Sequence, residues 1–304
     1  MRIPRVSPTT YHRVTRLALW SLVAIIITGS AVRLTGSGLG CSDWPNCEPG
    51  QLIPASEFHG WVEFGNRLVT GVVALAVIAA VSAASLRSPL DPKLVWWAAG
   101  LVGGVAGQVA LGAVTVLTHL SPPIVMAHFL LSVVLVWNAV VLHHLSDPAD
   151  RAPVAAPRWV TGHTQAVSLI GLAAIVTGTV VTGAGPHGGD EEVERLGIAL
   201  ASAARLHGIT VVVLVATSLW LARRTRPWPT LRRRVEVALV IMAIQATIGY
   251  VQYFTEVPAL LVALHIAGAT ALWISLVRML LVARDAGLAP STEILAPSAE
   301  HFAQ

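Results

Sequence analysis

Charged residues are scarce in this sequence. Asp, Glu, Lys and Arg together make up 12% of its 304 residues, whereas a soluble domain carries about 25%. Hydrophobic residues make up 55%, and the mean hydropathy is +0.70. The shortage of charge excludes an ordinary soluble domain and indicates a protein whose surface lies largely in lipid.

The apolar residues stand in long blocks and do not alternate with polar ones. Several blocks reach the ~20 residues that a helix needs to cross a bilayer. Only a helix satisfies its own backbone hydrogen bonds within one such segment. We therefore predict an all-α integral membrane protein with about eight transmembrane helices. The predicted spans are 17–34, 61–85, 94–118, 123–143, 163–183, 201–222, 235–255 and 258–283.

Basic residues are concentrated in alternate loops between the blocks. Six arginines lie within 223–234, whereas the loops around 43–57 and 190–194 hold acidic residues. Because Lys and Arg favour cytoplasmic loops, this pattern predicts a multi-pass protein of the cell membrane with both termini in the cytoplasm. We interpret the basic loops as signals of this topology and not as nucleic-acid-binding sites, so no nucleic-acid partner is expected.

The two halves of the chain resemble each other. Residues 108–128 (QVALGAVTVLTHLSPPIVMAH) match 245–265 (QATIGYVQYFTEVPALLVALH), and TGSAVRLTGSG at 28–38 matches TGTVVTGAG at 177–185. Each half has an even number of spans, so both enter the membrane in the same orientation, related by a pseudo-twofold axis along the membrane normal. We predict two tandem four-helix bundles, which commonly hold cofactors. The predicted units are 1–150, 158–285 and a polar cytoplasmic tail at 286–304.

Ionisable side chains inside membrane spans are functional candidates, because lipid makes them costly. Spans that run inward from the outer face carry Asn66, His128, His207 and His265 a few residues past their start. We expect Asn66 to face His128, and His207 to face His265. Two neutral imidazoles at matched depth are typical axial ligands of heme iron. The alternative for any single histidine is a hydrogen bond to a neighbour, and zinc is disfavoured because the second half has no Cys or carboxylate at ligand spacing.

Other histidines are expected to be solvated at the membrane boundaries, in outer loops or in the tail. They are His12, His59, His119, His143, His144, His187 and His301.

Glu63 and Arg67 lie four residues apart on one predicted helix face. One interpretation is a structural ion pair at i, i+4. The other is catalytic, because Glu63 shares its face with Asn66 and a partly buried carboxylate can transfer protons.

Cys41 and Cys47 are the only cysteines, and both lie in the first outer loop, GLGCSDWPNC. The outer face is oxidising, so a disulfide between them is expected. A metal site, which lacks further ligands, and a redox-active pair are the alternatives.

Taken together, these features resemble the heme A synthase family. The matching motifs, in order, are RLTGSGLGCSDWPNC, EFGNR, AHF, RLHG and ALHIAG, and the resemblance covers nearly all of 15–283. It implies an enzyme that oxidises the C8 methyl group of heme O to a formyl group in two successive oxidations. The product, heme A, serves terminal oxidases.

The resemblance also implies roles for individual residues. It makes His207 and His265 the axial ligands of a heme b in the second half, and it matches Cys41 and Cys47 to the family's outer-loop cysteine pair. The substrate heme site of the first half then comprises Glu63, Asn66, Arg67 and His128.

Asn66 departs from the pattern of many members, which carry His at this position, although others also read EFGNR. Asn is a poor iron ligand, and this argues against bis-His ligation in the first half.

Three other functions compete with this interpretation. A b-type cytochrome for electron transfer would need two bis-His sites, against which Asn66 counts, and it leaves Glu63 unexplained. A non-enzymatic heme carrier or assembly factor would leave the heme unchanged, and a transporter is disfavoured by the parallel repeat. The partners expected for a synthase are heme O, membrane lipid, an electron acceptor and the heme O synthase upstream.

Overall fold

The structure, a computed structural model, describes residues 5–55, 57–147 and 157–286. These residues form eight long α-helices, with long connections at 35–57 and 185–199. The helices are α1 (Pro8–Leu34), α2 (Phe58–Ser85), α3 (Pro92–Leu117), α4 (Pro122–Ser146), α5 (Arg158–Ala184), α6 (Leu200–Arg224), α7 (Pro229–Phe254) and α8 (Ala259–Ala286).

Each helix is long and apolar enough to cross a membrane. The predicted all-α membrane architecture is confirmed. Each predicted span lies within one helix, with at most one residue outside the helix limits. The helices extend beyond the apolar spans, most of all α1, which begins at Pro8. There the Ser7 hydroxyl accepts a hydrogen bond from the backbone N–H of Thr10, so a polar cap starts the helix well before its apolar part.

The helices of each half contact one another in a closed ring. In the first half α1 packs on α2, α2 on α3, α3 on α4 and α4 on α1, and α5 to α8 repeat this order. The halves meet through α1, α4, α5 and α8. The same order of helix contacts in both halves agrees with a pseudo-twofold axis along the membrane normal. The symmetry itself and the domain limits stay predictions.

One polar contact between the halves lies among buried apolar side chains. The indole Nε1 of Trp273 in α8 donates to the carbonyl oxygen of Val133 in α4 at 2.9 Å, and both residues are buried. Such a bond satisfies the polar atom of a large side chain within apolar surroundings. It fixes α8 against α4, the two helices that carry His265 and His128.

His143 and His144 near the end of α4 are not solvated, and the prediction was wrong for them, whereas His12 near the start of α1 is partly exposed. His143 and His144 are only 6% and 4% exposed. His143 is hydrogen-bonded to Thr15 at 3.0 Å and stacks on the ring of His12, and His144 is hydrogen-bonded to Asp285 at 2.8 Å. Because α4 continues as a helix past its apolar span, these rings face α1 and α8 instead of water.

The remaining histidines expected to be solvated differ among themselves. His59 and His119 are exposed, whereas His187 is half-buried and its Nε2 donates to the carbonyl of Val257 at 2.9 Å. His301 and the tail beyond Ala286 lie outside the described residues.

Candidate functional site

The four residues expected to face each other in pairs occupy matched positions on their helices. Asn66 in α2, His128 in α4, His207 in α6 and His265 in α8 each lie between the seventh and the ninth residue of the helix. At about 3.6 residues per turn, all four lie roughly two turns from the helix start. The end of the bundle at which these helices start is called the outer end below.

The rings of His207 and His265 face each other in the second half. Their centroids are 6.3 Å apart, with an interplanar angle of 77°. Two imidazoles on opposite sides of one metal ion, with metal–nitrogen bonds of about 2.0–2.1 Å, have centroids roughly 6 Å apart. The spacing of this pair therefore fits axial ligation of one iron.

The surroundings of His207 fix its tautomer. Its Nδ1 lies 3.0 Å from the carbonyl oxygen of Ala174 and 3.2 Å from the hydroxyl of Thr177. A carbonyl only accepts, so Nδ1 carries the hydrogen and Nε2 keeps its lone pair. A hydrogen bond of this kind orients a metal-binding histidine and raises its basicity. Sequence reasoning missed Thr177, although it belongs to the repeated Thr-Gly pair.

The Nδ1 atoms of His265 and His128 are buried and have no hydrogen-bond partner among the described residues. In the first half, the Gln108 side-chain amide donates to the carbonyl of His128 at 3.0 Å and to the hydroxyl of Ser132 at 2.7 Å. These bonds anchor the backbone around His128 and leave its ring free of protein partners within the described chain.

Asn66 takes the position in the first half that His207 takes in the second. The hydroxyl of Thr28 donates to its Oδ1 at 2.8 Å, as the hydroxyl of Thr177 lies against His207. The first half thus offers one imidazole and one amide where the second offers two imidazoles.

Each of these four side chains lies against a glycine on the neighbouring helix, and the contact is tight for His207 and His265. A Cβ at the glycine would lie 3.3 Å from Cε1 of the ring for Gly178 with His207 and for Gly249 with His265, 3.5 Å for Gly112 with His128, and 3.9 Å from Nδ2 for Gly29 with Asn66. Sequence comparison gave these glycines only as matching letters. The available signal in the sequence was their spacing. Gly29 and Gly178 directly follow the repeated threonine, and Gly112 and Gly249 lie four residues after the repeated glutamine.

Glu63 is buried, with 6% of its surface exposed, and both carboxylate oxygens accept hydrogen bonds. Oε1 accepts from Nη2 of Arg67 at 2.7 Å, and Oε2 accepts from the backbone N–H of Cys41 at 2.8 Å. The ion pair at i, i+4 is therefore present, and it also holds the first outer loop. Each carboxylate oxygen keeps a further lone pair for another donor.

The first outer loop is closed by a disulfide between Cys41 and Cys47, as predicted. Arg67 donates to the loop carbonyls of Asp43 at 3.1 Å and Asn46 at 2.9 Å. The loop is thus bonded directly to the Glu63–Arg67 pair.

No group of three or more His, Cys, Asp or Glu side chains able to hold a metal ion occurs in the described part of the chain.

Comparison with known proteins gives consistent similarities. Residues 12–59 and 54–186 match the family model COX15-CtaA, described as cytochrome oxidase assembly protein. The chain is 32% identical to the heme A synthase of Geobacillus kaustophilus over 146 residues, which are 48% of this chain and 45% of that one. It is 28% identical to the heme A synthase of Symbiobacterium thermophilum over 286 residues, which are 83% and 88% of the two chains.

The matched segments cover between 32% and 54% of the first three relatives, two from Geobacillus and one from Exiguobacterium. The chain therefore spans about half or less of the length of these relatives.

Proposed function

Because this chain belongs to the COX15-CtaA family of cytochrome oxidase assembly proteins, we propose that it is a heme A synthase. The reaction would convert the C8 methyl group of heme O to a formyl group in two successive oxidations, through an alcohol and a hydrated aldehyde. The observation that carries this proposal is the 6.3 Å spacing of His207 and His265, set against an amide at the equivalent position of the first half.

In this proposal the second half holds a heme b between His207 and His265. The spacing of the rings and the fixed tautomer of His207 support this assignment. A heme with two imidazole ligands supplies one-electron redox chemistry. The protein's part is to hold both rings at the required distance, to keep Nε2 of His207 unprotonated, and to exclude water with the surrounding apolar side chains.

The first half would receive the substrate, heme O. His128 offers one imidazole with an unpartnered buried Nδ1 among the described residues, and Asn66 offers an amide whose oxygen is already bonded to Thr28. A substrate that must enter, react and leave is better held by one strong iron ligand than by two. The long farnesyl tail of heme O is apolar and would extend into the bilayer.

Glu63 would handle protons and charge at the reacting carbon. With water as the oxygen donor, a methyl group and one water become a formyl group, four protons and four electrons, and an acceptor outside this chain takes the electrons. A carboxylate at this site can take a proton from the attacking water or stabilise positive charge developing at C8. The bonds to Arg67 and Cys41 would hold it in one position.

We also infer the orientation in the membrane, with both termini in the cytoplasm and the disulfide loop outside. The arginines of 223–234 and the acidic residues of 190–194 support it. Reporter fusions within 184–200 should give an extracytoplasmic signal. A cytoplasmic signal there would reverse the assignment of both faces.

The decisive experiment is coexpression of the chain with a source of heme O, followed by mass spectrometry of the extracted hemes. Heme A together with its alcohol precursor is the expected result, with a His265→Ala variant as the inactive control. Heme O recovered unchanged would favour a carrier or assembly factor. Reversible electron transfer without any heme A would favour a b-type cytochrome.

A further inference from the structure

Two arginines from different halves meet at the outer end of the bundle without a carboxylate. Arg33 lies in the last turn of α1, and Arg195 lies in the loop between α5 and α6. Both border the same short stretch of loop, since Gly188 contacts the guanidinium of Arg195 and the next residue, Gly189, contacts Cγ of Arg33. Neither belongs to an ion pair among the described residues, although Asp190 and Glu194 lie in the same loop as Arg195.

The guanidinium of Arg33 is only partly satisfied by the protein. Its Nη2 donates to the carbonyl oxygen of Thr182 in α5 at 2.8 Å. Its Nε is buried and has no acceptor within the described part of the chain. Native structures rarely leave a buried charged donor unpaired, and an ion or ligand often completes such a group.

Two consecutive glycines each lie against one of the arginines. A Cβ at Gly188 would lie 2.5–2.8 Å from the guanidinium of Arg195, so the guanidinium packs directly on this glycine and would have to move if a side chain were added. A Cβ at Gly189, where φ is +106°, would lie 3.8 Å from Cγ of Arg33. The backbone here is also fixed, because Gly38 donates to the carbonyl of Gly189 at 2.7 Å. Partial burial lowers the pKa of Arg195, because it disfavours the charged guanidinium.

Along the axis of α5, the contact of Arg33 lies nearer the outer end than the contact of His207. Thr182, which Arg33 contacts, is five residues beyond Thr177, whose hydroxyl contacts His207. Five residues correspond to about 7.5 Å along a helix. A porphyrin carries its two carboxylates on one edge, roughly one macrocycle radius from the iron. The two arginines thus stand at the level that this edge would reach.

We propose that Arg33 and Arg195 form an oxyanion site for the propionate carboxylates of the heme between His207 and His265. The inference rests on the heme-binding part of the proposed function and not on the oxidation of heme O. Guanidinium groups bind carboxylates through paired, charge-assisted hydrogen bonds. A phospholipid phosphate has the same oxyanion chemistry, so the experiment must separate the two sources.

The test uses full-length protein from heme-depleted cells in phosphatidylcholine nanodiscs, titrated with hemin or with hemin dimethyl ester, whose carboxylates are capped. The low-spin absorbance reports binding. The wild type should bind hemin more tightly than the ester. Arg33→Gln and Arg195→Gln should each weaken hemin binding by about tenfold, the loss of a hydrogen bond to a charged group, and leave ester binding unchanged.

Arg205→Gln is the matched control. Arg205 is an exposed arginine near the outer end of α6, its Nε donates only to the Ala201 carbonyl of its own helix, and its removal should change neither affinity. Equal weakening of hemin and ester by both substitutions would mean a structural role and overturn the proposal. So would an unchanged hemin affinity in both variants, or no hemin binding by the wild type.

A phosphate site would give a different result. Phosphatidylglycerol in the discs would then change hemin and ester binding alike, through Arg33 and Arg195, and the carboxylate proposal would be wrong. Heme A synthesis is assayed separately. Arginine-dependent hemin binding by a protein that makes no heme A would refute the synthase and leave this site standing.

Discussion

Arg33 of α1 donates a hydrogen bond to the carbonyl of Thr182 in α5, and each lies five residues past the threonine, Thr28 or Thr177, of the repeated Thr-Gly pair in its own half. The two are 149 residues apart. The same offset aligns Thr28 with Thr177, since 177 − 28 = 149, and these threonines contact Asn66 and His207. Contacts between equivalent positions occur next to a twofold axis. This bond supports the predicted symmetry of the halves and places Arg33 beside its axis.

The ligand assignment in the second half predicts a spectral change. His207→Ala and His265→Ala should each abolish the low-spin heme spectrum of the purified protein, because one axial ligand is lost. His119→Ala, which changes an exposed outer histidine, should leave the spectrum as in the wild type. A normal low-spin spectrum in both ligand variants would disprove the assignment.

The glycine beside His207 should be needed for correct ligation. In Gly178→Ala the new Cβ would lie 3.3 Å from Cε1 of His207, and the ring would have to shift by a few tenths of an ångström. We expect a shifted α-band in the reduced spectrum and a lower heme content per protein. Gly162→Ala in the same helix places its Cβ in open space and serves as the control. Identical spectra for the two variants would show that Gly178 has no such role.

Glu63→Gln keeps the shape of the side chain and removes its charge. It should leave the low-spin spectrum of the second half intact and reduce heme A formation by a factor of about 10² or more, the usual contribution of a general base. The alcohol intermediate should accumulate in the extracted hemes.

A matched control for the ion pair itself is available. Glu236 forms the same i, i+4 pair with Arg232 on an exposed surface, with a distance of 2.7 Å. Glu236→Gln should leave heme A formation unchanged. If Glu63→Gln makes heme A at the wild-type rate, the Glu63–Arg67 pair is only structural.

Asn66→His should give the first half a second imidazole. The hydroxyl of Thr28 already lies at the position that Thr177 takes toward His207, so the new ring has a hydrogen-bond partner. We expect a folded protein with additional low-spin heme, and slower heme A formation because the substrate is held by two ligands. Heme content per protein and product yield measure this. An unchanged low-spin content would mean that positions 66 and 128 do not share one heme.

The disulfide should stabilise the outer loop and, through it, Glu63. Replacing Cys41 and Cys47 by serine should lower the free energy of unfolding by about 2 kcal/mol, as for closure of a short loop. If the bridge is purely structural, protein yield and melting temperature should fall more than specific activity. Mass spectrometry of unreduced peptides should show the bridge in the wild type, and two free thiols there would contradict it.

Much of the architecture could be predicted from the sequence. The bilayer requires apolar segments of a certain length, so hydropathy alone located the eight helices. The internal repeat supplied the match of His128 with His265, and the predicted spans placed Asn66 and His207 at similar depth. The cysteine pair followed from its isolation in one outer loop. These features depend on position along the chain, and the sequence records position directly.

The tertiary structure decided what depends on rotation and neighbours. Hydropathy gives the depth of a residue in the membrane but not the direction it faces, and helix contacts in lipid depend on where small residues let backbones approach. His143 and His144 therefore looked solvated, yet packing against α1 and α8 buries them. Arg33 and Arg195 lie in different halves and share no motif. The fold brings them together, with Gly188 beside the guanidinium of Arg195 and Gly189 beside Cγ of Arg33.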